Sequence, residues 1–111
     1  MVDRRFWVGS GRQADFEVVF GPGGIWKELL SLAHGYLGTG IERESPEGQY
    51  RVRDFWKSHV NFEVFREQFV VECEKFNRLI VAEGLIEKQQ LVGEYYLDEG
   101  SDGDDLVSAE G

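Results

Sequence analysis

The spacing of apolar residues predicts two helical regions. Residues 13–20 and 25–33 carry apolar positions at intervals of three and four, which is typical of one face of a helix. Between them, residues 21–24 read Gly-Pro-Gly-Gly, a sequence that cannot continue a helix. A longer stripe of the same kind runs over residues 59–82, with Ser58 as a good N-cap. The first helical region is therefore expected to be broken and the second continuous.

Four other stretches alternate as strands do. They are residues 4–8, 36–43, 50–56 and 88–97. Pro46 and Gly48 mark a turn between the middle two, so residues 36–56 are predicted to form a hairpin. Alternation divides its second arm into two sides. One side carries Tyr50, Val52, Asp54 and Trp56, and the other carries Arg51, Arg53 and Phe55.

The order strand, helix, strand, strand, helix, strand predicts an α+β fold. The simplest closed form is a ferredoxin-like βαββαβ sandwich, with a four-stranded antiparallel sheet and two helices on one face. We assign residues 1–97 to this domain and residues 98–111 to an acidic, mobile tail. The second sheet face is left uncovered. If that face is apolar, a second identical subunit should cover it, which predicts a homodimer.

Charge and composition exclude several partners of the 111-residue chain. The formal net charge is −9, and residues 98–111 hold six acids and no base. No basic patch is visible, so no nucleic-acid partner is expected. No apolar run approaches the roughly 20 residues of a membrane span, so no membrane partner is expected either. Cys73 is the single cysteine, which excludes a disulfide framework and favours a cytoplasmic location.

Two histidines and an aspartate are the candidate reactive groups. His34 precedes the second strand and His59 follows the third, and a regular hairpin would bring both positions close to Trp56. A histidine can act as a base at neutral pH. We therefore consider His59 and His34 as catalytic bases and Asp54 as an orienting group or base. The alternative is that both histidines are surface or capping residues and that Asp54 pairs with a neighbouring arginine.

Three aromatic residues are candidate walls of a small-molecule pocket. Trp56 ends a strand on the side of Asp54, and Trp26 lies on the helix face that should meet the sheet. Tyr36 opens the second strand nearby. A large aromatic residue in these positions is most often part of the core, which is the alternative interpretation for all three.

Short patterns that resemble ligand loops lack required parts. Residues 9–11, Gly-Ser-Gly, are not followed by a parallel βαβ unit, and residues 21–24 lack the Lys-Ser/Thr of a phosphate loop. Residues 98–110 imitate a calcium loop but fail at its third and twelfth positions. Both histidines with Asp54 could form a metal triad, but their spacing has little specificity. We therefore predict no metal and no cofactor.

The run around the third strand resembles a known family. The pattern Asp54-x-Trp56-x-Ser58, followed by Phe62-x-x-Phe65, resembles the antibiotic biosynthesis monooxygenase-like family of the dimeric α+β barrel superfamily. The resemblance covers about residues 4–96. It implies a homodimer in which the two sheets face each other. In the enzymes of the superfamily it also implies a pocket between sheet and helices.

The resemblance implies one functional hypothesis, and the residues leave a second one open. Some members oxygenate aromatic polyketides without metal or flavin, so one hypothesis is a cofactor-independent oxygenase acting on an aromatic phenol or enol. Other members open haem with an asparagine on the first strand and a histidine on the second helix. This sequence has no such asparagine and only His59 at the helix start, so haem breakdown is not expected. The alternative is a non-catalytic homodimeric module that binds a small ligand or serves assembly.

Overall fold

The computed structural model describes residues 1–96 and places four strands in one antiparallel sheet. The strands are β1 (Val2–Val8), β2 (Tyr36–Ser45), β3 (Gln49–Trp56) and β4 (Ile86–Glu94). The helices are α1 (Gln13–Phe20), α2 (Ile25–Leu30), α3 (His59–Gln68) and α4 (Val70–Ala82). The sheet order is β2-β3-β1-β4, and each neighbouring pair is antiparallel. The α+β class is confirmed, and the order is consistent with a ferredoxin-like fold. The predicted tail lies outside the described residues.

The core lies between one face of the sheet and the helices. β3 contributes Tyr50, Val52 and Trp56 to it, at the alternate positions that the sequence predicted. α1 contributes Phe16 and Phe20, both fully buried. Strand alternation and helical spacing therefore select the same buried face, and this face is where a cavity between sheet and helices can form.

The helix predicted over residues 59–82 is two helices that meet at Phe69. The backbone of Phe69 has φ −116° and ψ 27°, which is outside the helical region. Its amide still donates to Phe65 at 2.9 Å, and its carbonyl accepts from Cys73 at 2.9 Å. The apolar stripe therefore faces the core on both sides of the break. Within residues 1–96, no helix is both long and apolar enough to cross a membrane.

Gly35 fixes the turn that brings the start of β2 beside the end of β3. Its φ is +88°, a conformation that residues with a side chain rarely adopt. A Cβ at this position would lie only 2.4 Å from Asn61 Cγ on α3. The carbonyl of Gly35 accepts a hydrogen bond from the Lys57 amide at 2.7 Å. Strand ends and the first turn of α3 are therefore held together at one end of the sheet.

The uncovered sheet face is charged. Arg51 donates to Asp3 through Nε at 2.9 Å and to Glu44 through Nη1 at 3.0 Å. Arg5 donates to the same Glu44 carboxylate at 2.9 Å. Hydrogen bonds from Arg5 and, after it, Gln49 and Arg51 lower the pKa of Glu44 to about 2, against the cost of its partial burial. The uncovered face is therefore not apolar, although the homodimer prediction depended on an apolar face.

Candidate functional site

A cavity of about 280 Å³ lies between the covered sheet face and the helices α2, α3 and α4. Its volume is close to the lower end of the range of about 300–1,000 Å³ typical of small-molecule sites. Trp56 and Trp26, two of the predicted wall residues, both line it. Exposed residues at its rim include Arg66, Asn77 and Glu94. Its other apolar wall residues are Val2, Leu30, Phe62, Phe65, Cys73 and Leu91.

Asp54 lies on the cavity wall and accepts hydrogen bonds at both oxygens. It is 2% exposed. Arg4 Nη2 donates to Oδ2 at 3.0 Å. Trp26 Nε1 and Thr39 Oγ1 both donate to Oδ1, at 3.0 Å and 2.7 Å. A carboxylate held in this way fixes the positions of the side chains that donate to it, which are Arg4, Trp26 and Thr39.

Tyr36 lies behind the wall rather than in it. Its hydroxyl is 2.6 Å from Thr39 Oγ1, and Thr39 in turn donates to Asp54. Burial raises the pKa of Tyr36 above its ordinary value, so the phenol stays protonated at neutral pH. Its ring meets Trp56 edge-on, with centroids 5.5 Å apart. Tyr36 therefore packs against Trp56 and does not line the cavity that the described residues form. From the sequence, Tyr36 was a candidate wall residue.

Two buried N–H groups of cavity residues have no hydrogen-bond partner among residues 1–96. They are Arg4 Nε and Trp56 Nε1. Trp56 is only 6% exposed, and the Arg4 side chain is 17% exposed. Leaving a buried donor unpaired costs about 1–3 kcal/mol. Both residues line the cavity, so a ligand oxygen that reaches either N–H group after a small shift of the side chain would remove this cost.

Arg4 is held in place from two sides. Asp54 pairs with its guanidinium, whose central carbon lies 4.8 Å from the centroid of the Trp26 ring and 5.4 Å from that of Phe6. A cation over an aromatic ring is attracted to the ring face. The candidates inferred from sequence did not include Arg4. The available signal was the alternation of β1, which places Arg4 on the covered side between Val2 and Phe6.

Cys73 is half-buried and lines the cavity. Burial raises the pKa of its thiol above the ordinary value. The neutral thiol is therefore an apolar part of the wall at neutral pH, as the stripe on the helix predicted.

The histidines do not line the cavity formed by residues 1–96. His34 is exposed in the turn before β2. His59 opens α3, with Nε2 3.0 Å from a carboxylate oxygen of Glu63 and its ring centroid 4.8 Å from that of Tyr96. Asp54 faces the core, where Arg4 engages it, whereas the histidines lie beyond the strand ends. In the described part of the chain, the two histidines and Asp54 therefore form no common metal triad.

A comparison with family models, with curated proteins and with solved structures finds no match to this chain. The fold and the site therefore define its class by themselves. It is an α+β protein with one four-stranded antiparallel sheet, and a small aromatic cavity lies between that sheet and its helices.

Proposed function

We propose that the chain binds a small, flat aromatic molecule with an acceptor oxygen, such as a phenol or an enol, in the cavity beside Asp54. The observation that carries this proposal is the pair of buried, unpartnered donors, Arg4 Nε and Trp56 Nε1, on two residues that line a cavity with aromatic walls. This is the ligand-binding alternative of the two hypotheses from the sequence. It also fits the proposed membership of the antibiotic biosynthesis monooxygenase-like family.

The unpartnered donors of the cavity residues favour a ligand with an acceptor oxygen. Arg4 brings a positive group to the wall, and Asp54 compensates it through Nη2, while Nε has no hydrogen-bond partner among residues 1–96. Hydrogen bonds to charged groups contribute about 1.5–3 kcal/mol each, more than bonds between neutral groups. The rings of Trp26 and Phe65 offer apolar surface for the rest of the molecule. The ligand class therefore combines an aromatic body with one oxygen.

Trp56→Phe is expected to weaken binding of an oxygenated ligand about tenfold, because one hydrogen bond is lost and the apolar ring is kept. Calorimetric titration of the full chain with polycyclic phenols, and with the same ring systems lacking oxygen, measures this. The variant should keep its affinity for the oxygen-free ring systems and should prefer the oxygenated ligands less strongly than the unchanged chain does, because Arg4 Nε remains. Trp7→Phe is the matched control, because Trp7 lies on the other sheet face under Lys88, 4.2 Å from its ring centroid. Unchanged affinity in Trp56→Phe would contradict the proposal.

A cofactor-independent oxygenase is the second candidate function. It is favoured by the same two donors, because fixed N–H groups stabilise an oxyanion as charge develops on it. Oxygen uptake in the presence of polycyclic quinols tests this. We expect uptake to fall in Trp56→Phe and to persist in His59→Ala, since His59 does not line the cavity formed by residues 1–96. No uptake above the rate without protein would leave binding as the function.

A homodimer remains part of the proposal. The arginines and the acidic residues on the uncovered face neutralise each other's charges in ion pairs. Two copies can therefore approach through this face without strong repulsion. At one end of that face Leu37, Phe55 and Tyr95 form an exposed apolar groove. We expect sedimentation at micromolar concentration to give twice 12.7 kDa, and Phe55→Glu to give the monomer. A 12.7 kDa species for the unchanged chain would contradict the dimer. The cytoplasmic location stays a prediction.

A further inference from the structure

We propose that His59, Glu63 and Glu94 form a binding site for a divalent transition-metal ion at the rim of the cavity. His59 and Glu63 are four residues apart on α3, so they lie on the same face of the helix. Glu94 ends β4 and lines the cavity. One ligand atom from each of the three side chains lies within 4.8 Å of the other two. The fold thus brings one imidazole and one carboxylate of α3 close to a second carboxylate at the end of β4.

The distances are close to those that one metal ion requires. Zinc binds histidine nitrogen at about 2.0–2.1 Å and carboxylate oxygen at about 2.0–2.2 Å, so two ligands of one ion lie at most about 4.3 Å apart. His59 Nε2 and Glu63 Oε2 are already 3.0 Å apart. Glu94 is exposed, so a small rotation of its side chain can bring the third ligand within range.

The charges around the cluster favour a cation. Glu63 and Glu94 place two carboxylates side by side, and Arg66 compensates Glu63 only across 3.4 Å. The Arg66 side chain is 58% exposed, and such surface pairs contribute little, so a divalent ion can displace it. An ion between the carboxylates would therefore relieve their repulsion more strongly than Arg66 does.

Tyr96 orients two of the three ligands. Its ring packs on His59 with centroids 4.8 Å apart, and its hydroxyl donates to Glu94 Oε1 at 3.3 Å. Groups that contact metal ligands in this way orient them and increase metal affinity. The proposed site therefore has supporting contacts beyond the ligands themselves.

The ligand set selects the class of ion. One imidazole nitrogen with two carboxylate oxygens suits zinc, cobalt, nickel or manganese, whereas magnesium and calcium prefer oxygen alone. Three protein ligands leave at least one coordination position open. Because Glu94 also lines the cavity, the ion would sit beside whatever the cavity binds. Binding of the ion does not depend on the proposed function of the cavity.

Titration of the full chain with Zn²⁺ alone by calorimetry, and with Co²⁺ alone by visible absorption, tests the site. We expect one saturable ion per chain. His59→Ala and Glu94→Gln should each weaken binding at least tenfold, since each removes one of three ligands. Glu74→Gln, an exposed acid on α4 outside the cluster, is the matched control and should keep full affinity.

Weak binding of divalent ions by acidic residues outside the cluster must be separated from binding at the proposed site. Residues 98–111 add six acids, which bind divalent ions weakly wherever they lie. Wild-type affinity no higher than that of the double variant His59→Ala/Glu94→Gln would assign all binding to such groups and overturn the proposal. Absence of saturable binding would overturn it too. If His59→Ala fails to fold, the metal affinity of Glu94→Gln tests the site by itself, because Glu94 lies at an exposed strand end. Unchanged affinity in that variant overturns the proposal.

Discussion

Phe20→Ala is expected to lower the free energy of unfolding by about 4 kcal/mol, the range for loss of a fully buried phenylalanine. Phe20 has no exposed surface. Its ring centroid lies 4.5 Å from that of Phe16 and 5.1 Å from that of Phe6, and it also meets Trp26 at 5.9 Å and Phe76 at 5.6 Å. These neighbours come from β1, α1, α2 and α4. Truncating one ring would therefore leave a void where four elements meet.

Urea unfolding followed by circular dichroism measures this change. Val18→Ala is the matched control on the same helix, because Val18 is 71% exposed and its truncation should cost less than about 0.5 kcal/mol. The slope of the transition should be the same in all three proteins, since the same surface is exposed on unfolding. A loss below about 1.5 kcal/mol for Phe20→Ala would show that the aromatic cluster is not closely packed.

Periodicity predicted the elements well because each element satisfies a local rule. The alternation along residues 50–56 correctly placed Tyr50 and Val52 on one side, which is the buried side in the structure, and Arg51 on the opposite side. The break at Phe69 was not predictable in the same way. No glycine or proline marks it, and the apolar spacing continues through it. Local spacing shows which face is buried, but it does not show where a helix bends.

The charged character of the uncovered sheet face could be predicted from the sequence. Alternation had put Arg51 and Arg53 together on one side of β3, and a side that carries two arginines is not apolar. The acidic partners of these arginines could not be predicted. Arg51 pairs with Asp3, 48 residues away, and this contact depends on the register between β1 and β3. The composition of the face was therefore predictable, whereas its ion pairing was not.

The candidate site shows the same division. Trp56 and Asp54 were found because they share one side of one strand. Arg4 was missed because its partner is 50 residues distant, although a charged residue on a covered strand side needs a partner. For the metal cluster, the His59-x-x-x-Glu63 spacing on a helix was a usable signal. The sequence carries no such signal for Glu94, because the position of Glu94 depends on where β4 ends.

Asp54→Asn is expected to lower the free energy of unfolding by about 3 kcal/mol. The amide keeps an oxygen that can accept from Trp26 and Thr39, but it removes the negative charge that Arg4 faces. Arg4 then holds an uncompensated charge with 17% of its side chain exposed. Removing one partner of such a pair costs more than the pair itself contributes, because the remaining charge stays away from water.

Asp15→Asn is the matched control for this change, since the Asp15 side chain is 62% exposed in its pair with Arg12 and its loss should cost below about 0.5 kcal/mol. The double variant Arg4→Met/Asp54→Asn separates charge from shape. If the unpaired guanidinium causes the loss, the double variant should regain a large part of the stability, because no uncompensated charge remains in the cavity wall. A double variant less stable than Asp54→Asn would instead show that Arg4 acts mainly through its packing on Trp26.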